Sequence, residues 1–151
     1  MAQDTSIQTS LFRRVRALIL LWGGRVYRHY GIVGNSARFF RTATRYYSRA
    51  LAVNPSLEEA YLERGAILWR ELDRVEEAVA DFSTALTLRP GWPEALFYRG
   101  LAYEQQGRHA SAMQDLAAYL VSEDEEWQEH AKRQLTLIRK MMTEPRREQL
   151  L

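Results

Sequence analysis

The chain has 151 residues, 46% hydrophobic and 26% charged, which suits one globular domain with a buried core. It contains no cysteine, so disulfides, thiolate catalysis and zinc–thiolate sites are excluded. The formal net charge is only +2, yet residues 1–57 hold nine arginines against one acid, Asp4, while residues 58–151 hold 12 bases against 18 acids. Such a split points to an anionic surface, a nucleic acid or self-association.

Residues 1–10 are polar and are expected to form a mobile tail, with Ser10 able to cap a helix that starts at Leu11. Over residues 11–23, Leu11, Val15, Leu18 and Trp22 fall on one helical stripe, with Phe12 and Ile19 beside it. Arg13, Arg14 and Arg16 crowd its first turns. The uncharged run between Arg16 and Arg25 is eight residues, against the roughly 20 needed to cross a bilayer. It lacks the small-residue cleavage site of a secretory signal. Three readings of this helix stand. It caps the apolar end of the helices that come after it, it lies on an anionic membrane surface, or it is an organelle transit peptide. The last is disfavoured because the arginines continue well past it.

Gly23-Gly24 is expected to kink the chain or open the next unit. RVYRHYGIV then forms a helix ending near Gly34-Asn35, and Ser36 can cap a second, ARFFRTATRYYSRALAV, which Pro55 stops. Ser56 and Glu59 stand at the spacing of a capping box ahead of LEEAYLERGAILWREL. RVEEAVADFSTALTL comes next and ends before Pro90. Pro93 opens the next helix in a favoured first-turn position. Gly107 can take the left-handed conformation that closes a helix, and ASAMQDLAAYL returns. Ser122 and Glu125 make a second capping-box pair. The last helix, 127–143, carries Trp127, Ala131, Leu135, Ile138 and Met142 on one face, and a 144–151 tail ends the chain.

Across these helices residues recur at intervals of 34 or 35: Gly31, Gly65, Gly100; Ala43, Ala78, Ala112; Tyr47, Phe82, Leu116; Pro55, Pro90. A fixed period in that range means stacked helix pairs. The ladder resembles the tetratricopeptide repeat (TPR) family, with its small residue in the first helix, then alanine, a large apolar residue, a small residue and a terminal proline. The resemblance covers residues 24–126 in three repeats, 24–57, 58–92 and 93–126. It departs from the pattern at Asp124, at Tyr119 and by one extra residue between Gly65 and Ala78. It implies an all-α helix-turn-helix solenoid, here with an extra N-terminal helix and a C-terminal solvating helix.

No catalytic constellation appears. His29, His109 and His130 stand far apart with no second ligand at metal spacing, and the acidic run 123–126 sits where a helix N-terminus favours negative charge. The chain is read as a non-enzyme with no cofactor and no metal. Function is then carried by surfaces. The resemblance implies a concave groove built from each repeat's first helix. Arg25, Arg28 and Ile32 would come from the first repeat, Glu59, Leu62, Ala66 and Trp69 from the second, and Glu94, Phe97, Leu101 and Glu104 from the third. Such a groove suits a partner helix or extended peptide with an apolar stripe and basic flanks, unless the chain's own last helix fills it. TPR cochaperones hold the acidic tails of heat-shock chaperones in a clamp of basic and asparagine side chains. The matching places here carry Arg28, Ile32, Glu63, Glu94 and Tyr98, which disfavours that ligand.

A second surface gathers Arg13, Arg14, Arg16, Leu18, Ile19 and Trp22 with Arg38, Arg41 and Arg45, the outer row of ARFFRTATRYYSRALAV. It fits an anionic membrane surface or an acidic subunit of a membrane complex. Self-association, with the N-terminal helix of one copy in the groove of another, is a further reading. Nucleic-acid binding through arginines interleaved with aromatics is the least favoured. The expected function is a protein–protein interaction scaffold, an assembly or accessory factor, cytoplasmic or peripheral at a membrane.

Overall fold

Residues 2–122 and 125–143 are described by the computed structural model, with the backbone alone for 2–10. Among them are seven helices and no strand. Two compact units divide the chain, Met1–Leu88 and Arg89–Leu151. The first holds α1 (Ala2–Gly34), α2 (Ala37–Val53), α3 (Glu58–Arg70) and α4 (Val75–Leu88). The second holds α5 (Pro93–Gln105), α6 (His109–Leu120) and α7 (Gln128–Thr143).

Consecutive helices pair as hairpins, α1 with α2, α3 with α4 and α5 with α6. The ladder is their shared interior. Ala43, Tyr47, Ala50, Ala78, Phe82, Ala85, Ala112, Leu116 and Tyr119 all have 0% exposure. Small residues face these large ones because the helices are close. A Cβ added at Gly65 would come within 2.7 Å of the Phe82 ring, and one at Gly100 within 3.0 Å of Leu116. Each hairpin turns through one left-handed residue, Asn35 (φ 43°), Asp73 (φ 53°) or Gly107 (φ 71°). The next residue or so bonds back into the finished helix, Ser36 N–H to the Gly31 carbonyl and Arg108 N–H to the Tyr103 carbonyl. In α3–α4, Arg74 N–H reaches back to Leu68. That loop takes up the extra residue between Gly65 and Ala78. Pro55 and Pro90 come just after the ends of α2 and α4, and Pro93 is the first residue of α5, as expected.

The N-terminal segment differs from expectation. No break occurs at Gly23-Gly24, and α1 runs as one helix from Ala2 to Gly34, through the residues expected as a tail. The two glycines are there for close packing. A Cβ at Gly23 would meet the Tyr46 ring at 2.6 Å, one at Gly24 the Tyr47 Cδ1 at 2.7 Å, and one at Gly31 the Phe40 ring at 2.7 Å. The glycine that faces the ladder residue Tyr47 is therefore Gly24, where the 34-residue spacing had pointed to Gly31. The hairpin lengths explain this. Asn35 lies 11 residues after Gly24, against 8 from Gly65 to Asp73 and 7 from Gly100 to Gly107. On the return, Tyr47 lies 12 residues past its turn, against 9 for both Phe82 and Leu116. The first hairpin is longer by about one helical turn in each arm.

The capping box expected at Ser56 and Glu59 does not form. α3 has Leu57 at its N-cap with no side-chain cap, and Asn54 Oδ1 instead accepts the Ser56 N–H at 3.1 Å. Ser122 Oγ donates to the Tyr119 carbonyl at 2.6 Å, and α7 begins only at Gln128. Ser36 occupies the α2 N-cap position without a side-chain bond. Tyr119, unusual for its place in the repeat, has a structural use: its hydroxyl accepts the Trp127 N–H at 2.8 Å and ties down the start of α7. Ala131, Leu135 and Ile138 of α7 are buried as expected, whereas Met142 is exposed.

Candidate functional site

In the first unit Arg25, Arg28 and Glu59, expected to face the groove, form an ion network around Glu63. The Glu63 side chain, 13% exposed, accepts Arg25 Nε at 2.8 Å and the Tyr47 hydroxyl at 2.8 Å. Arg28 stands 3.9 Å from Glu63, and Arg25 also reaches Glu59 at 3.6 Å. The hydrogen bond that Arg25 donates to Glu63 raises the Arg25 guanidinium pKa, and burial together with the Glu63 carboxylate pushes the Tyr47 phenol up. Arg25, Arg28 and Glu63 are thus matched to one another.

Beside this network a cleft of about 230 Å³ opens between α1 and α3. Phe40 and Ile67 lie at its base, buried, with Ala66 half-buried. Ile32, 63% exposed, stands on one wall and Arg70 and Glu71 on the other. The remaining expected groove residues divide by burial. Leu62 is 5% exposed and belongs to the core, and Trp69 is half-buried. In the second unit Phe97 is 2% exposed: it stacks on Trp127, with ring centroids 5.6 Å apart, and meets the edge of His130 at 5.5 Å. Within that unit the chain's last helix and the residue before it fill the place where Phe97 was expected to be open. Leu101 is 9% exposed, and Glu94 and Glu104 are half-buried.

The basic surface stands open. Arg13, Arg14, Arg16, Arg38, Arg41 and Arg45 are exposed, and so are Leu18 (47%), Ile19 (66%) and Trp22 (63%). The apolar stripe of residues 11–22 is not what covers α2; Ala17 and Leu21 do that, at 0% and 1% exposure. Arg38, Arg41 and Arg45 project from α2 on the side away from its buried ladder. Among the described residues no helix is long and apolar enough to cross a membrane. No group of three His, Cys, Asp or Glu could hold a metal among them either.

Sequence spacing also passed over a repeated ion pair. Arg64 grips Asp81 with two bonds of 2.8 and 2.7 Å, and Arg99 grips Asp115 at 2.7 and 2.9 Å. Both aspartates are buried. Burial outweighs the guanidinium at Asp81 and pushes its carboxyl above the ordinary range. The signal was present in the chain as an Arg and an Asp recurring at one ladder position. The first hairpin has Gly23 and Tyr46 there, a ring on a glycine in place of a fork.

Helix hairpins in which a glycine faces a large side chain, a ring or Leu116, with a closing solvating helix, define a class of helical repeat modules. A family model described as tetratricopeptide repeat matches residues 36–93 and again 70–128. The chain belongs to the tetratricopeptide repeat family. It is 36% identical over 84 residues to human tetratricopeptide repeat protein 28, covering 56% of this chain and 3% of that protein. It is 46% identical over 50 residues to the UDP-N-acetylglucosamine–peptide N-acetylglucosaminyltransferase of Giardia intestinalis, covering 33% of this chain and 3% of that enzyme. The chain thus spans a small part of these relatives' length. Among solved structures it resembles the first TPR of Spaghetti (RPAP3) bound to the HSP90 peptide SRMEEVD, at TM-score 0.74 and 21% identity over 85% of this chain and 94% of that one. It also resembles the Yersinia enterocolitica type III secretion chaperone SycD with a peptide of the translocator YopD, at TM-score 0.69 and 16% identity over 82% and 93%. Both of these structures hold a bound peptide.

Proposed function

We propose that the protein is a non-enzymatic interaction scaffold, an assembly or accessory factor, whose α1–α3 cleft holds an apolar side chain of a partner helix or peptide. The observation that carries this is the exposed Ile32 above a buried Phe40–Ile67 base, an apolar opening on an otherwise charged face. Arg70 and Glu71 at the rim offer both signs of charge, so the apolar anchor dominates recognition and the partner's flanks refine it. An acidic tail such as the SRMEEVD bound by the RPAP3 domain is a poor ligand in this reading. With Gly24 in place of Gly31, the clamp positions of the first repeat move seven residues back, to Leu21 and Arg25. Leu21 is buried and Arg25 is held by Glu63. In this reading the scaffold works beside an anionic surface, to which its basic first hairpin is drawn.

The test is fluorescence anisotropy with a panel of amphipathic helical and extended peptides, with SRMEEVD for comparison. Saturable binding of an apolar-striped peptide, weakened about tenfold or more by Ile32→Glu, is expected. Tight binding of SRMEEVD, or peptide binding indifferent to Ile32→Glu, would reject the cleft.

A further inference from the structure

We propose that α1 lies on an anionic lipid bilayer, with its exposed stripe in the interface and arginines on either side of it. The proposal rests on the location proposed above and not on the peptide cleft. Phe12, Val15, Ile19, Trp22, Val26 and Val33 recur at steps of three and four, with one step of seven across His29. All are 46–72% exposed. On the opposite side Ala17, Gly24 and Gly31, each seven residues apart, are buried, the two glycines against rings of α2. One helix therefore has two faces of equal period, a small one used for the fold and a large apolar one that the first unit leaves open. Because Gly23-Gly24 does not break α1, that open face is continuous from Phe12 to Val33, about 32 Å at the helical rise.

Charge decides which occupant fits. No acid occurs between residues 5 and 57. Arg13, Arg14, Arg16 and the four outer arginines of α2 have no ion-pair partner among the described residues. Arg16 and Arg49 line one cleft with Leu20 and Val53, so cations from both helices share a side of the hairpin. A second copy packed on the stripe would bring two such sets of cations together. An anionic headgroup layer would pair them, while the apolar side chains enter the acyl boundary. Trp22 and Tyr30, each with an apolar ring and a polar group, belong at that level.

The experiment is flotation of the full chain with phosphatidylcholine vesicles, with and without phosphatidylglycerol, at low and high salt. Phe12→Glu/Ile19→Glu and Arg13→Glu/Arg16→Glu are compared with it. These positions are exposed, and unchanged circular dichroism melts confirm folding. The expected result is flotation with phosphatidylglycerol vesicles only, weakened by salt. The apolar pair should lose about a hundredfold in partitioning and the arginine pair at least about tenfold. No flotation with anionic vesicles at low salt would overturn the proposal, as would equal flotation with phosphatidylcholine alone. A dimer abolished by Phe12→Glu/Ile19→Glu, without flotation, would assign the stripe to a second copy instead. Ile32→Glu should float like the parent chain, and the α1 variants should keep peptide affinity, so either proposal can fail alone.

Discussion

At Gly24 a single hydrogen stands where a methyl would enter the Tyr47 ring, with Cδ1 at 2.7 Å and Cζ at 2.8 Å. Tyr47 cannot withdraw easily, because its hydroxyl is bonded to Glu63. Gly24→Ala should therefore cost about 1–3 kcal/mol, whereas Gly34→Ala, with nothing within 4 Å, should stabilise by up to about 1 kcal/mol. Urea unfolding of the two variants checks both signs. The Arg64–Asp81 fork makes a sharper case. Removing Asp81 alone leaves a partly buried cation without its partner and should cost about 3–5 kcal/mol; replacing the pair together, Arg64→Met with Asp81→Leu, should come out near neutral. Equal costs for the single and double changes would show that the pair itself carries the stability. A Gly-Gly pair read from sequence says only that backbone freedom or closeness is available. Which of the two is used depends on whether a ring lies opposite, and Tyr46 and Tyr47 come more than twenty residues later.

The helices themselves were legible because their interior is written three times. Ala43, Ala78 and Ala112 share one register and one burial, and one misleading residue in a copy is outvoted by the others. The groove was less legible for a physical reason. First helices pack against neighbours on more than one side, so Leu62, Phe97 and Leu101 look like open apolar positions and are in fact interior. The Ser56 cap failed for another reason: the turn is closed by Asn54, whose Oδ1 accepts the Ser56 N–H, and α3 starts with Leu57 at its N-cap. α7 is the element whose attachment is most exposed to test. Tyr119→Phe removes the acceptor for the Trp127 N–H and should cost about 1–2 kcal/mol, with faster hydrogen exchange confined to α7. A loss of protection spread over α5 and α6 as well would mean that α7 and its hairpin open together.

At the scale of the molecule, the first unit has an interior of its own, in which Leu21, Phe40, Tyr47, Leu51 and Ile67 are all drawn from its own helices. A fragment ending at Leu88 should accordingly melt in one cooperative step, and a broad, non-cooperative melt would contradict this. The lengthened first hairpin has a consequence for how such a chain can change over time. Because its additional residues come as one turn on the way out and one on the way back, every side chain beyond them keeps the face it had. Hairpin length is in that sense quantised. Losing about seven residues, split between the arms, would restore the shorter pattern with Gly24 still against Tyr47. Losing Val33 alone would turn one arm by about 100° and set the Ala17–Gly24–Gly31 row against the wrong partners. An insertion that keeps both faces in register has to add a turn to each arm, and a comparison by linear spacing alone will misplace the first repeat by the sum of both.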